Sequence, residues 1–201
     1  MTLGELAAEI RKQYAVATYD HMPTMHVDEW ERERKSRFDY LNGYARFKHA
    51  VASVLKPRSI CEIGVGGGIA ARAFLTASPG ATYYGIDNGE YDREAKKQVL
   101  ADTCRQLPEE FPGVVIVMTD SSGLGALPRS FDLVHVDGCH VYANAKHDTL
   151  LALKFSKHVL VDDAKDPAVF KAAMDALAEC GRMAGWVYFD DTLTGNILFQ
   201  S

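Results

Sequence analysis

Apolar positions along the chain fall into two regimes. Up to about residue 55 they recur at helical spacing. Leu3, Leu6, Ala7 and Ile10 share one face of a helix predicted over residues 3–18, and a second helical stretch covers 28–55. Residues 19–26, mixing His21, His26, Tyr19 and Met with Pro23, read as loop. The charged run 29–35, beside Trp30, suits a solvated helix face. From Lys56 short apolar runs alternate with amphipathic stretches. Strands are predicted at 59–63, 82–86, 114–118, 131–136 and 158–161, with helices at about 69–75, 93–107, 143–155 and 167–180. Continuous apolar strands separated by helices predict a parallel sheet covered on both faces. The last two runs, 186–189 and 196–199, are too close for a helical crossover and predict an antiparallel hairpin. The expected fold is α/β: a Rossmann-like, doubly wound, mostly parallel seven-stranded sheet with a C-terminal hairpin. It forms one domain over 56–201, preceded by an N-terminal helical segment, 1–55, that serves as a lid, a dimer contact or a cover for the sheet edge.

Composition narrows the class without changing this picture. The 201 residues are 47% hydrophobic and 24% charged, a globular profile. A net charge of -5 gives no basic footprint, so nucleic acid is not an expected partner. No apolar run approaches the ~20 residues of a membrane span, and the N-terminus lacks a leader pattern. A reducing cytoplasm is the expected location. Cys61, Cys104, Cys139 and Cys180 are scattered and form no zinc-ligand spacing.

Candidate chemistry begins at Glu62-Ile-Gly-Val-Gly-Gly-Gly68, where glycines follow a strand and open a helix. Without Cβ atoms the backbone there can turn sharply and admit a ligand closely. Asp87 ends the next strand, where a carboxylate can accept hydrogen bonds from both ribose hydroxyls of a nucleoside. The run Glu-x-Gly-x-Gly-x-Gly resembles motif I of class I S-adenosylmethionine-dependent methyltransferases. In a nicotinamide fingerprint the third glycine would fall at Ile69, which disfavours an oxidoreductase. The resemblance implies that the loop with Gly64, Gly66 and Gly68 lies beside the methionine moiety, with Glu62 helping to position it. It also implies that Asp87 holds the ribose, and that Asp120 contacts the adenine amine with Ser121 beside it.

A second constellation is Asp137-Gly-Cys-His140 after the fourth strand and Asp162-Asp163 after the fifth. Ligands of open α/β sheets bind at the carboxyl ends of strands. Asp137, Asp162 and Asp163 are therefore expected to converge there, and a hard cation such as Mg²⁺ would relieve their repulsion. The arrangement resembles metal-dependent O-methyltransferases of the catechol and caffeoyl-CoA type. The longer run Asp137-Gly-Cys-His-Val-Tyr142, with Asp148 beyond it, resembles a bacterial Asp-Gly-x-His-x-Tyr methyltransferase family related to sugar O-methyltransferases. In the catechol-type enzymes a Lys at the offset of His140 is the general base. A His can do that work, its unperturbed pKa lying near ~6.5, or it can orient Asp137 instead. The expected activity is metal-assisted O-methylation of a small-molecule acceptor, with a homodimer compatible. The rivals are a metal-independent N- or O-methyltransferase, a nicotinamide-dependent oxidoreductase and a non-catalytic cofactor-binding protein.

Overall fold

The computed structural model describes residues 1–17, 34–91, 93–181 and 185–200, so the expectations for Tyr19, His21, His26 and Trp30 lie outside the described residues. Helix α1 is Leu3–Val16. It opens on a reciprocal cap: Glu5 N–H donates to Thr2 Oγ1, and Thr2 N–H to the Glu5 carboxylate. Helix α2, Arg34–Leu55, precedes the alternating part of the chain. Then follow β1 Ser59–Ile63, α3 Ile69–Ala77, β2 Thr82–Asp87, α4 Glu94–Glu110, β3 Val114–Met118 and a 3-10 turn at Ser121–Gly123. The rest is β4 Phe131–Val136, α5 Tyr142–Phe155, β5 Ser156–Val161, α6 Pro167–Cys180, β6 Gly185–Phe189 and β7 Asn196–Gln200.

The seven strands form one sheet in the order β3-β2-β1-β4-β5-β7-β6. Strands β1 to β5 pair in parallel, and β7 runs antiparallel between β5 and β6, as the hairpin pattern predicts. Register is what positions the site. Ile63 lies opposite both Ile86 and Val136, and Val136 opposite Val161, so four strands end in one row. The ladder runs one step further through Gly64 N–H to Ile86 O, Asp137 N–H to Ile63 O and Asp162 N–H to Val136 O. Strand order reverses between β1 and β4, and ligand crevices open at such a point.

Core clusters cover both faces. One joins α1, α2 and α3 to the sheet through Ile10, Phe47, Val51, Phe74 and Leu133. The other joins α5 and α6 through Leu151, Leu153, Val169 and Ala173. The cover fails at the edge: Val115 and Met118 are half exposed on β3, the outermost strand of the sheet. Several boundaries differ from the pattern by a few residues, two of them instructively. Helix α4 continues through Pro108 to Glu110, where a proline in the last turn forfeits a single helical bond. Helix α5 runs into β5 with no loop, Ser156 being already extended. No helix among the described residues is long and apolar enough to cross a membrane.

Candidate active site

The turn after β1 is shaped by glycine. Gly64, Gly66 and Gly68 all have positive φ, at 91°, 51° and 67°. A Cβ on Gly64 would lie 2.0 Å from the Asp137 carbonyl oxygen, so the β1 and β4 termini can approach this closely only without a side chain. Asp87, 5% exposed, ties the turn down. Its Oδ2 accepts from the N–H groups of Val65 and Gly66 at 3.0 Å each and from the Tyr91 hydroxyl at 2.9 Å, while Oδ1 accepts from Gly89 N–H at 2.8 Å. Oδ2 is fully engaged, while Oδ1 keeps one acceptor site. Asp87 is thus part of the loop's framework as well as the acid expected beneath a ribose.

Glu62 faces inward, 1% exposed. Its carboxyl meets His135 Nδ1 at 2.8 Å and takes a hydrogen bond from the Tyr83 hydroxyl, so it braces β1 against β2 and β4. Burial pushes the Glu62 pKa well up and the His135 pKa well down, the second with help from the Lys48 charge. Both groups are driven toward neutral forms. Asp120 is exposed, and its carboxylate caps the 3-10 turn by accepting from Ser122 N–H at 2.9 Å. That bond holds its pKa below the usual range.

The acidic strand ends have a different arrangement from the expected trio. Each of the three carboxylates has its own partner within the chain. Asp137 accepts a 2.5 Å hydrogen bond from the Tyr44 hydroxyl of α2. Asp162, 2% exposed, turns inward to the Lys48 ammonium at 3.0 Å and to the Thr194 hydroxyl. Asp163, in the left-handed region at φ 52°, points outward to His140 Nε2 at 2.9 Å. Lys48 offsets part of the repulsion that Asp162 and Asp163 exert on Asp137. Among the described residues, two groups of side chains bring three ligand atoms within 4.8 Å of one another: Asp137, His140 and Asp163 at the surface, and Glu62, His135 and Asp137 inside. Asp162 belongs to neither.

Charge at these groups follows from burial and from the named neighbours. Burial and then the Asp162 charge raise the Asp137 pKa well above the carboxylate range, against the pull of Lys48 and Tyr44. Burial would also raise Asp162, but Lys48, His135 and Thr194 more than offset it and hold that carboxyl low. The hydrogen bond to Asp163 raises His140, which is half exposed. Lys48 itself is fully buried. Its ammonium also meets Asn196 Oδ1 at 2.6 Å and lies 4.6 Å from the centre of the Tyr44 ring.

A cleft of about 230 Å³ joins the two halves of the site, lined by Tyr44, Gly64, Gly66, Tyr91, Asp137 and Asp163 among others. Sequence reasoning missed Tyr44 and Lys48. Their signal was a lysine one turn after a tyrosine on the face that also carries the buried Val51 and Ala52. Thr194 left no such signal. The resemblance motif divides in space: Asp137 and His140 reach the cleft region, whereas the Tyr142 hydroxyl donates to Asp175 at 2.5 Å and fastens α5 to α6.

The turn fits a nucleoside cofactor, since Gly64, Gly66 and Gly67 line the cleft and place no side chain between it and the backbone. The family model of a methyltransferase domain matches residues 61–164, more than half of the chain. Among solved structures, the SAH-bound methyltransferase PaMTH1 of Podospora anserina superposes with a TM-score of 0.60 at 16% identity, covering 100% of this chain and 97% of that one. The SAM complex of TomG, an O-methyltransferase of Streptomyces achromogenes involved in tomaymycin synthesis, gives 0.56 at 18% identity over 100% and 99%. A methyltransferase of Geobacter sulfurreducens gives 0.55 at 17% identity over 79% and 78%. Identities this low establish the shared fold alone. No curated protein sequence is detectably similar to this one. The family match runs from inside β1 through the glycine turn and both acidic strand ends to the residue after Asp163, and the chain belongs to the methyltransferase-domain family as a class I S-adenosylmethionine-dependent methyltransferase.

Proposed function

We propose that the protein methylates an oxygen of a small-molecule acceptor, with His140 as the general base. The observation that carries this reading is the His140 Nε2 to Asp163 Oδ2 contact of 2.9 Å at the strand ends that carry the cleft-lining Asp137 and Asp163. Asp163 holds the proton on Nε2 and leaves Nδ1 to receive the acceptor's proton, so the neutral imidazole is presented in one tautomer. The oxygen's lone pair forms the bond to the methyl carbon as the carbon–sulfur bond breaks, and that bond's electrons stay on sulfur. Alignment supplies most of the acceleration in such a displacement. Asp87 meets the cofactor ribose by exchanging the Tyr91 hydroxyl for a ribose hydroxyl, Tyr91 being the donor whose side chain lines the cleft. The direct test is incubation with S-adenosylmethionine and a panel of phenols, sugars and polyketide alcohols, read by mass spectrometry. One methyl gained by a hydroxyl compound, and lost with His140→Gln, supports the reading. Methylation confined to amines contradicts it.

The sign of the pH dependence follows from the pair. Asp163 raises the His140 pKa, and only neutral His140 accepts a proton. Activity therefore rises with pH through a value raised from that of a free imidazole. In Asp163→Asn the imidazole is expected to return toward ~6.5, which NMR titration of His140 reads without any acceptor. An unchanged titration midpoint would contradict the pairing.

A divalent cation is the second reading, favoured by the three ligand atoms gathered at Asp137, His140 and Asp163. Those residues, without Asp162, would hold it, and their imidazole suits Mn²⁺ or Zn²⁺ better than Mg²⁺. Bound there, a cation supplies Lewis acidity toward the acceptor oxygen. Calorimetric titration with each ion separates the readings: saturable binding lost in Asp163→Asn favours the cation.

A further inference from the structure

The methyl-transfer chemistry makes no use of the turn between β6 and β7, yet that turn grips the chain on both sides of Asp163. Asp163 needs such a hold. Its φ of 52° lies in the left-handed region, which disfavours residues with a Cβ. On its amino side, the Thr194 hydroxyl donates to Asp162 Oδ1. On its carboxyl side, Ala164 N–H donates to Gly195 O at 3.0 Å and Lys165 N–H to Thr194 O at 2.9 Å. The Lys165 side chain then closes over the turn, its ammonium donating to Thr192 O at 2.7 Å and Leu193 O at 3.2 Å. Hydrogen bonds from an ionised donor are the stronger kind. The two turns touch with no room between them: a Cβ on Gly195 would lie 2.8 Å from Lys165 Cγ and 2.9 Å from Lys165 N. Asp166 N–H, donating to Asp163 O at 2.8 Å, completes the turn after β5. Asp163 is therefore flanked by anchored residues, and its carboxylate meets His140 Nε2 at 2.9 Å.

We propose that Lys165 is a positioning residue for methyl transfer, its ammonium clamping the β6–β7 turn against the turn after β5 so that Asp163 stays left-handed with its carboxylate on His140. The inference rests on the reading of His140 as general base and goes beyond it to what holds the pair in place. The direction of a side chain is set by the backbone at its own Cα. If residue 163 relaxes to the negative φ that suits an aspartate, its Cβ no longer points toward His140. The imidazole is half exposed, so the contact with Asp163 rather than packing fixes its ring. A general base acts only within hydrogen-bond reach of the proton it takes, and small misplacements are costly in rate.

The test joins structure determination to kinetics on two variants. Lys165→Met keeps the aliphatic stem and loses the ammonium, whereas Lys165→Arg keeps charged donors. Lys165 is exposed, so both variants are expected to fold. In Lys165→Met, residue 163 is expected to leave the left-handed region and the His140–Asp163 contact to open beyond hydrogen-bond distance. With a hydroxyl acceptor, kcat is expected to fall about tenfold while affinity for S-adenosylhomocysteine stays within about twofold of wild type. Lys165→Arg restores geometry and rate. Asp163→Gly is the background that separates positioning from a merely structural role, since glycine suits the left-handed turn and carries no carboxylate. There Lys165→Met costs nothing further, because the group it acts through is gone, whereas independent losses would multiply. A left-handed Asp163 with its His140 contact intact in Lys165→Met overturns the proposal, as do losses that multiply in the Asp163→Gly background. The structures decide the clamp without any acceptor. Undiminished methylation by His140→Gln overturns the general-base reading instead, and the positioning role with it, whatever the geometry of the clamp.

Discussion

Alanine in place of Gly64 is expected to abolish S-adenosylhomocysteine binding and to destabilise the fold by about 3 kcal/mol. Two independent causes add here. The residue sits at φ 91°, where an L side chain is strained, and its Cβ would fall 2.0 Å from Asp137 O and 2.5 Å from Asp137 C. Neither atom belongs to a flexible side chain, so relief requires β1 and β4 to part at their carboxyl ends. Parting them removes the close approach that brings the glycine turn and Asp137 to one cleft. Gly80 supplies the control. It has a similar φ of 87° but nothing within 4 Å of its Cβ, and it lies outside the cleft. Gly80→Ala is expected to cost about 1 kcal/mol and to leave cofactor affinity intact. Chemical denaturation and calorimetry on the two variants separate strain from collision. Normal cofactor binding by Gly64→Ala would show that the two strand ends do not need this proximity.

Methionine in place of Lys48 is expected to cost about 3–5 kcal/mol. The loss is large because Lys48 and Asp162 are both fully buried as side chains, with their charged atoms 3.0 Å apart. Removing the ammonium leaves a carboxylate in the interior with the Thr194 hydroxyl, the Asp163 N–H and His135 to stabilise it. Asp162 then favours its protonated form, and the variant becomes relatively more stable as pH falls. The double variant Lys48→Met, Asp162→Asn removes both charges and is expected to recover much of the loss, since breaking a buried pair costs more than deleting it. Denaturant midpoints of the single and double variants give the coupling energy. Additive losses would contradict the pairing.

Most of the architecture was legible because periodicity reports burial. The β1 to β5 runs are apolar, and their termini align, so acids placed immediately after strands had to gather at one end of the sheet. Asp87, Asp137 and the Asp162–Asp163 pair were found in this way. What periodicity does not report is where a polar side chain points. Asp162 and Asp163 are adjacent just beyond β5, and the left-handed backbone at Asp163 turns its side chain away from that of Asp162. One goes inward to Lys48 and the other outward to His140, which dissolves the three-carboxylate cluster that their spacing suggested. The partners that complete the site come from α2, and the amphipathic pattern of that helix marked Tyr44 and Lys48 only as members of a buried face. Asp120 and Asp148 show the same limit from the other side. The first follows a strand, and its exposed carboxylate caps the 3-10 turn. The second, on the buried face of α5 between Ala145 and Ala152, looked like part of a motif and proves to stand behind the crevice.

The most direct test of the account is calorimetric titration of folded wild-type protein with S-adenosylmethionine and S-adenosylhomocysteine, with NAD as the comparison. Saturable one-to-one binding of the first two and none of NAD is the predicted result. Absence of binding by S-adenosylmethionine and S-adenosylhomocysteine, or a preference for NAD, would contradict the assignment of the glycine turn, Asp87 and the β1–β4 crevice to the methyl donor.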